Sequence, residues 1–184
     1  GSSPAWITKV LTFTQGGVMT PQQEYISLYK KMADLCEQQG WGDPFSYARS
    51  KEILATILLG HTLPGPNVFA GADAINEKGQ PVEYKSTTGK NCKGSYTGVS
   101  VQKTWEEQQK YLITKKIGIY PEHYYNRFED GRLVESWKLS GKDVLSILLP
   151  KFEAKYPTVL SKKDPRLSAN LTWREIQKYG KKVI

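Results

Sequence analysis

Residues 71–87, GADAINEKGQPVEYKST, place a tight turn between two segments of alternating side chains. A three-residue hairpin loop normally ends with a residue in the left-handed backbone region, which glycine adopts most easily. Glu77-Lys78-Gly79 fits that loop, and it makes Asn76 face Gln80 across the turn. The sequence therefore predicts a β-hairpin in this stretch.

The register of this hairpin gathers charged side chains on one face. Antiparallel partners keep a constant sum of residue numbers, so Asp73 falls opposite Glu83, with their Cβ atoms about 5 Å apart. Lys85 shares the Glu83 face because side chains alternate along a strand. Facing carboxylates repel each other unless a cation lies between them, and hard oxygen ligands suit Mg²⁺ or Mn²⁺. We expect a divalent metal site here; a solvent-exposed hairpin with a weak ion pair is the alternative.

Length and composition indicate one ordinary folded domain. The chain has 184 residues, 39% of them hydrophobic and 24% charged, which suits a single hydrophobic core. We expect this domain to span residues 19–184, with residues 1–18 as a leader or arm. The longest apolar run, around residues 57–59, is too short for a membrane span, so we expect a soluble, intracellular protein with no membrane partner.

Charge and cysteine usage narrow the classes of partner. Twenty-six Lys and Arg against eighteen Asp and Glu give a net charge of +8, which favours a polyanion such as nucleic acid. The two cysteines and two histidines show no paired ligand spacing, which argues against a zinc site.

Two helices precede the hairpin. Thr20-Pro21 caps an amphipathic helix that Gly40 ends, and Asp43-Pro44 begins a second helix that Gly60 ends. The second helix has a predicted buried stripe made of Ile53, Leu54, Ile57 and Leu58.

Strands and helices alternate after that point. The hairpin strands cover residues 68–75 and 82–87, and residues 95–101 form a third strand that is expected to pair beside them. Thr104 begins a helix by a capping box, and Asp130-Gly131 joins a second hairpin. Ser140 begins a helix that Pro150 interrupts or ends, and Thr172 begins a final short one. This order predicts a mixed α/β fold with a central mixed β-sheet flanked by helices.

The hairpin motif resembles a known family. Gly71-Ala72-Asp73 followed by Val82-Glu83-Tyr84-Lys85, in the order helix, three strands, helix and strand, resembles the PD-(D/E)xK nuclease superfamily and its restriction-endonuclease-like core. That core would cover about residues 45–139, with a C-terminal helical addition at 140–184. Ala72 stands where proline is common in the family, and Gln108 to Tyr111 is one residue short of the exonuclease branch's Q-x-x-x-Y motif.

The resemblance implies a Mg²⁺-dependent endodeoxyribonuclease, in particular a type II restriction endonuclease that acts as a homodimer on double-stranded DNA. Asp73 and Glu83 would bind the metal, the backbone carbonyl of Tyr84 would help, and Lys85 would be catalytic. Glu52, on the helix before the first core strand, would be a further catalytic acid. A homing, nicking or repair endonuclease of the same fold, or a non-catalytic DNA-binding module, remains open.

Candidate DNA contacts surround the motif. Lys90, Lys93 and Lys103 are predicted to contact backbone phosphates, although a mobile charged loop is the alternative for them. Tyr96 and Arg127 combine aromatic and basic character and are predicted to contact bases, although strand aromatics also form cores.

Overall fold

A computed structural model describes residues 17–65, 69 and 71–184, which form two compact units. The first unit ends at Arg49 and the second spans Ser50–Ile184, whereas the sequence analysis placed both in one domain. Of the predicted leader, only residues 17 and 18 are described. No helix within the described ranges is long and apolar enough to cross a membrane.

Helix α1, Pro21–Gln39, confirms the first predicted helix. The Thr20 hydroxyl accepts a hydrogen bond from the Gln23 amide at 3.2 Å, and the Gln23 side chain accepts one from the Thr20 amide at 2.9 Å. Gly40 ends the helix in the left-handed conformation, with φ of 67°. Local capping chemistry therefore determines both ends.

Helix α2 begins later than the sequence predicted. It spans Arg49–Leu58, and residues 44–48 form turns instead of its first turns. The Asp43 carboxylate accepts a hydrogen bond from the Phe45 amide at 2.9 Å. An aspartate bonded to the backbone two residues later stabilises a turn in place of a helix, so Asp43-Pro44 is not the helix start.

The buried face of α2 also differs from the predicted stripe. Ile53, Ala55 and Thr56 are buried, whereas Ile57 and Leu58 are 55% and 53% exposed. The helix packs on the sheet through the small Ala55, and Leu54 and Leu59 pack against the same cluster.

The second unit continues with seven strands and three further helices in its described part. Their bounds are β1 Ala74–Ile75, β2 Pro81–Thr87, β3 Gly94–Ser100, α3 Trp105–Tyr111, β4 Glu122–Glu129, β5 Arg132–Ser140, α4 Gly141–Leu160, β6 Arg166–Leu171, α5 Trp173–Tyr179 and β7 Lys181–Lys182.

The predicted hairpin is confirmed, with a shorter first strand. β1 pairs antiparallel with β2 through Ala74 opposite Val82 and Ile75 opposite Pro81, which is the predicted constant sum. Gly79 ends the loop with φ of 73°. The predicted first strand covered residues 68–75, but 68 and 70 lie outside the described residues and only the last two residues form the strand.

The third predicted strand does not join the hairpin. The five-stranded sheet has the order β1-β2-β4-β5-β7, and β3 pairs antiparallel with β6 in a separate two-stranded sheet. β2 already has β1 on one edge and β4, parallel to it, on the other. A strand has only two edges, so β3 has no free edge of β2 to pair with.

The second hairpin is confirmed and the long helix is corrected. β4 and β5 are antiparallel around Asp130-Gly131, whose φ angles of 46° and 77° are both positive. Pro150 was predicted to interrupt or end the next helix, but α4 continues to Leu160 and contains Pro157 as well. Buried side chains four residues apart hold it against the core: Val144, Leu148, Phe152 and Tyr156.

These elements form layers around the five-stranded sheet. One core cluster contains Ala55 of α2 with residues of β1, β2 and β4, and the larger cluster joins β3, β6 and α4 to the other face of the sheet. The second unit is therefore a mixed α/β fold with a mixed sheet flanked by helices, as predicted. The C-terminal segment, predicted as a helical addition, also supplies β6 and β7, one strand to each sheet.

Candidate functional site

The hairpin charges meet in one pocket. Asp73, Glu83 and Lys85 line a cavity of about 350 Å³, together with residues of β3 and of the segment that connects α3 to β4. The predicted convergence of these three side chains is therefore present in the fold. Each comes from a defined place: Asp73 immediately precedes β1, and the other two lie within β2.

Two hydrogen bonds to β2 fix Asp73. Its amide donates to the Val82 carbonyl at 3.2 Å, and its carboxylate accepts from the Tyr84 amide at 2.7 Å. Asp73 lies just outside the strand pairing of β1, so its side chain supplies an acceptor to the strand beside it. The carboxylate is thereby held at the end of the hairpin sheet.

The environment of Asp73 disfavours its charge. The pKa of Asp73 is raised from 3.8 to about 7, first by burial and second by the neighbouring Glu83 carboxylate. Glu52 adds to this increase in pKa, while the Tyr84 amide and Lys85 act against it. Positive charge placed beside the two carboxylates would therefore favour the charged form of Asp73.

Glu83 and Lys85 form an ion pair on one face of β2. Parallel pairing sets Glu83 beside His123 and Lys85 beside Tyr125 in β4, so all four side chains point to the same side of the sheet. Tyr84 points to the other side, where its hydroxyl lies 2.6 Å from Nδ1 of His61. Because side chains alternate along β2, Glu83 and Lys85 face the pocket while Tyr84 faces the core on the other side of the sheet.

A buried hydrogen-bonded chain lies next to Lys85. Nε2 of His123 lies 3.2 Å from the Ile117 carbonyl, which requires a proton on Nε2 and leaves Nδ1 as an acceptor. The Tyr96 hydroxyl, 2.8 Å from Nδ1, therefore donates to it and accepts from the Tyr125 hydroxyl, also at 2.8 Å. Burial lowers the pKa of His123 to about 3, so this histidine is neutral.

Tyr96 lies largely within this core and also lines the pocket. It is only 6% exposed and its hydroxyl is bonded within the protein, so its predicted contact with bases stays a prediction. Its ring instead lies under the ammonium of Lys85, with 4.8 Å from Nζ to the ring centroid. Such a contact helps to fix the position of the ammonium group.

The other predicted DNA contacts lie outside the pocket lining. Arg127 is paired with Glu129 and Glu135, and these two carboxylates compete with any phosphate for its guanidinium. Lys90 and Lys93, between β2 and β3, and Lys103, before α3, are exposed and do not line the pocket. Their proposed phosphate contacts stay a prediction. Glu52 is also absent from the lining, although its charge acts on Asp73.

The pocket is also lined by residues that were not predicted from the sequence, among them Lys115, Lys116 and Tyr120. The Tyr120 hydroxyl donates to the Gly71 carbonyl at 3.1 Å and so fastens the turn before Asp73. The two lysines follow a capped helix, where basic residues usually serve only the helix dipole. Only the path of the chain from α3 to β4 shows that the two lysines face the motif.

The carboxylate pair fits magnesium better than a metal that needs several side chains. Among residues 17–65, 69 and 71–184, no group of three or more His, Cys, Asp or Glu side chains is placed to hold a metal ion. Mg²⁺ is usually held by one or two protein carboxylates together with substrate phosphate and water. Asp73 and Glu83 could act as such a pair, in which case the ion would relieve their mutual repulsion.

Comparison with known proteins adds no family to this geometry. A scan of the chain against protein-family models gives no match, and a search of curated proteins finds no relative.

Proposed function

We propose that this protein is a Mg²⁺-dependent endodeoxyribonuclease that hydrolyses phosphodiester bonds of double-stranded DNA. The observation that carries the proposal is the meeting of Asp73, Glu83 and Lys85 in one pocket. Two carboxylates destabilised by each other and a lysine beside them form a set suited to phosphoryl chemistry.

The order of elements supports a core like that of the PD-(D/E)xK nucleases. Helix α2, the antiparallel strands β1 and β2, the crossover through α3 and the parallel strand β4 follow the order helix, strands, helix, strand. Thr62 forms a single antiparallel bridge with Ile75 on the outer edge of β1, which adds an antiparallel neighbour before the hairpin. The strand β3 departs from the expected three-stranded arrangement by pairing with β6.

In this proposal each side chain of the motif has a separate role. Asp73 and Glu83 would hold Mg²⁺, with the backbone carbonyl of Tyr84 as a further ligand, and the ion would supply positive charge next to the scissile phosphate. Lys85 orients the attacking water and stabilises the negative charge that develops on phosphate oxygen. Tyr96, as a positioning residue, holds the Lys85 ammonium from below. Attack breaks the bond to the leaving 3′ oxygen and leaves a 5′-phosphate.

The biological setting follows from the same proposal. A type II restriction endonuclease, acting inside the cell as a homodimer, cuts both strands of a palindromic site because a two-fold axis presents one pocket to each strand. A homing, nicking or repair endonuclease would use the same chemistry with a different recognition surface.

Plasmid cleavage tests the proposal. Purified protein with Mg²⁺ should convert supercoiled plasmid to linear DNA, and EDTA should stop the reaction. Lys85→Ala and Asp73→Asn should each lower the cleavage rate by at least about 100-fold, since each removes a group that acts in the transition state. Sequencing the cut ends identifies the recognition site and the stagger together.

An exposed lysine far along the chain provides the control. Lys162→Ala removes the same charge as Lys85→Ala from an exposed turn after α4 and should cut like the wild-type protein. Cleavage retained in Lys85→Ala, or unaffected by EDTA, would overturn the proposed mechanism.

The Lys85–Glu83 ion pair favours a second candidate, a DNA-binding module without catalysis, because the two groups already satisfy each other. That candidate expects DNA binding that Mg²⁺ does not change and no cleavage under any condition. Calorimetry with Mn²⁺ alone separates the two: the nuclease should bind Mn²⁺ and Asp73→Asn should not.

A further inference from the structure

Adjacent lysines reach the pocket from an unusual turn. After α3 the chain forms one wide helical turn, Leu112–Lys116, with hydrogen bonds spanning five residues instead of four. Lys115 and Lys116 are exposed and both line the pocket that contains Asp73 and Glu83. Single wide turns of this kind occur mostly within helices and frequently at functional sites.

Packing explains why the turn is wide. Leu112 and Ile117 are both buried, at 0% and 1% exposure, and the Ile117 amide donates to the Leu112 carbonyl at 2.8 Å. In a regular α-helix, residues five apart point about 140° away from each other and could not both enter one core. The wide turn brings both into the core and leaves the two lysines between them on the pocket side.

Gly118 makes this turn possible. A Cβ at that position would lie 2.2 Å from the Ile113 carbonyl oxygen, a distance that no side chain tolerates. The Gly118 amide also donates to the Leu112 carbonyl at 3.1 Å. Close backbone approach therefore fixes the turn, and with it the position of the lysine pair.

We propose that Lys115 and Lys116 form a phosphate-binding subsite that holds the DNA backbone next to the bond to be cut. This subsite rests on the proposed function, because it places a neighbouring phosphate of the same strand beside the metal-binding carboxylates.

The charges of the pocket favour such a subsite. Asp73 and Glu83 repel a phosphodiester, and Lys85 is paired with Glu83, so the motif by itself attracts DNA weakly in the absence of metal. Lys115 and Lys116 are not paired with a carboxylate in any ion pair among the described residues. They supply the positive charge that the motif lacks, on the same cavity of about 350 Å³.

A matched pair of double variants tests the subsite. Lys115→Ala/Lys116→Ala removes the pocket lysines, and Lys162→Ala/Lys163→Ala removes the same charge from an exposed pair in the turn after α4. Binding of a labelled DNA duplex is measured by fluorescence anisotropy in EDTA over a series of KCl concentrations. The pocket variant should bind at least about tenfold more weakly, and the slope of log affinity against log salt should fall by about 1 to 2. The control should stay within about twofold of wild type.

Gly118→Ala tests whether the position of the two lysines matters as well as their charge. It keeps every lysine but forces the wide turn to move, so it should weaken DNA binding in the same direction as the double lysine variant. Circular dichroism and the unfolding midpoint show whether Gly118→Ala still folds; the lysine variants provide the test if it does not.

The outcomes separate the two proposals. Equal weakening by the pocket and control variants means that only net charge matters, and it overturns the subsite. A pocket-specific loss of binding in a protein that neither cuts DNA nor binds Mn²⁺ supports the subsite as a DNA-binding feature and overturns the nuclease. Cleavage by wild type with unchanged binding and cleavage in Lys115→Ala/Lys116→Ala supports the nuclease and overturns the subsite.

Discussion

Asp73 shows how the fold imposes an unfavourable environment on a single residue. Its carboxylate is partly buried and lies near Glu83, both of which raise its pKa, while the hydrogen bond from the Tyr84 amide opposes them. A structural aspartate gains nothing from such a neighbour. An aspartate that binds a cation benefits from such a neighbour, because the cation is attracted to both carboxylates.

The raised pKa of Asp73 predicts a specific dependence of stability on pH. The folded-state pKa of about 7 lies above the unfolded value of 3.8, so the folded protein retains a proton that the unfolded chain loses. The stabilisation is fully present below pH 3.8 and is lost as pH rises through 7. Asp73→Asn should remove this loss, so the stability of the variant relative to wild type should rise by ~1–3 kcal/mol from pH 4 to pH 8 in urea unfolding without metal.

A control and an opposing residue sharpen this test. Asp164 has a side chain that is 81% exposed, and Asp164→Asn provides the matched loss of one carboxylate from the surface. His123 has the opposite slope, because its pKa is lowered to about 3 and its stabilisation is lost as pH falls from 6.5 towards 3. His123 is present in both proteins, so it cancels in the difference, and parallel curves for wild type and Asp73→Asn would contradict the prediction.

At the scale of elements, helix α4 continues where local chemistry says that it should stop. Proline lacks an amide hydrogen and clashes with the preceding turn, so each interior proline weakens a helix by roughly 3 kcal/mol. α4 nevertheless contains Pro150 and Pro157, because one of its faces is buried in the larger core along its whole length. Tertiary packing overrides propensity in this helix.

Replacing Pro150 should therefore stabilise the protein. Pro150 is exposed, and Pro150→Ala restores an amide to the helix without disturbing the core. We expect the free energy of unfolding to rise by ~1–3 kcal/mol, measured by urea denaturation. Pro121→Ala, at an exposed position before β4, should change it little. A decrease in stability for Pro150→Ala would mean that α4 needs a bend at this position.

At the scale of the whole molecule, the motif depends on strands far from it in sequence. The larger core joins Tyr96 of β3, Tyr125 of β4 and Leu167 of β6. Tyr96 supports Lys85 from below, and β6 is the strand that pairs with β3. The C-terminal segment therefore stabilises β3 and Tyr96 beneath Lys85, although it contains no residue of the motif.

Leu167→Ala tests this dependence. Leu167 is fully buried at 0% exposure, so the substitution should lower the free energy of unfolding by ~2–4 kcal/mol. Leu160→Ala, at a position that is 44% exposed, should cost less than about 1 kcal/mol. Under the proposed nuclease function, plasmid cleavage by Leu167→Ala should fail at a lower temperature than cleavage by wild type. A Leu167→Ala variant as stable as the control would contradict the shared core.

Local sequence was enough to predict the features that depend on near neighbours. The three-residue loop with Gly79 determines the hairpin register, and that register predicts Asp73, Glu83 and Lys85 on one face without reference to any tertiary contact. Caps at Thr20 and at Thr172 likewise predicted helix starts, because the bonds involved span only three residues.

Only the tertiary structure decided which strands pair and what surrounds the motif. β4 pairs with the edge of β2 that β1 leaves open, and β3 pairs with β6 instead. No local sequence pattern predicts which strand edge a distant strand will pair with. The same holds for the lysine pair at Lys115 and Lys116, which reaches the pocket through a wide turn set by two buried side chains. Caps, turns and the alternation of side chains depend on residues that are close in sequence. Strand pairing and the residues that line the pocket depend on packing between segments that are far apart in the chain.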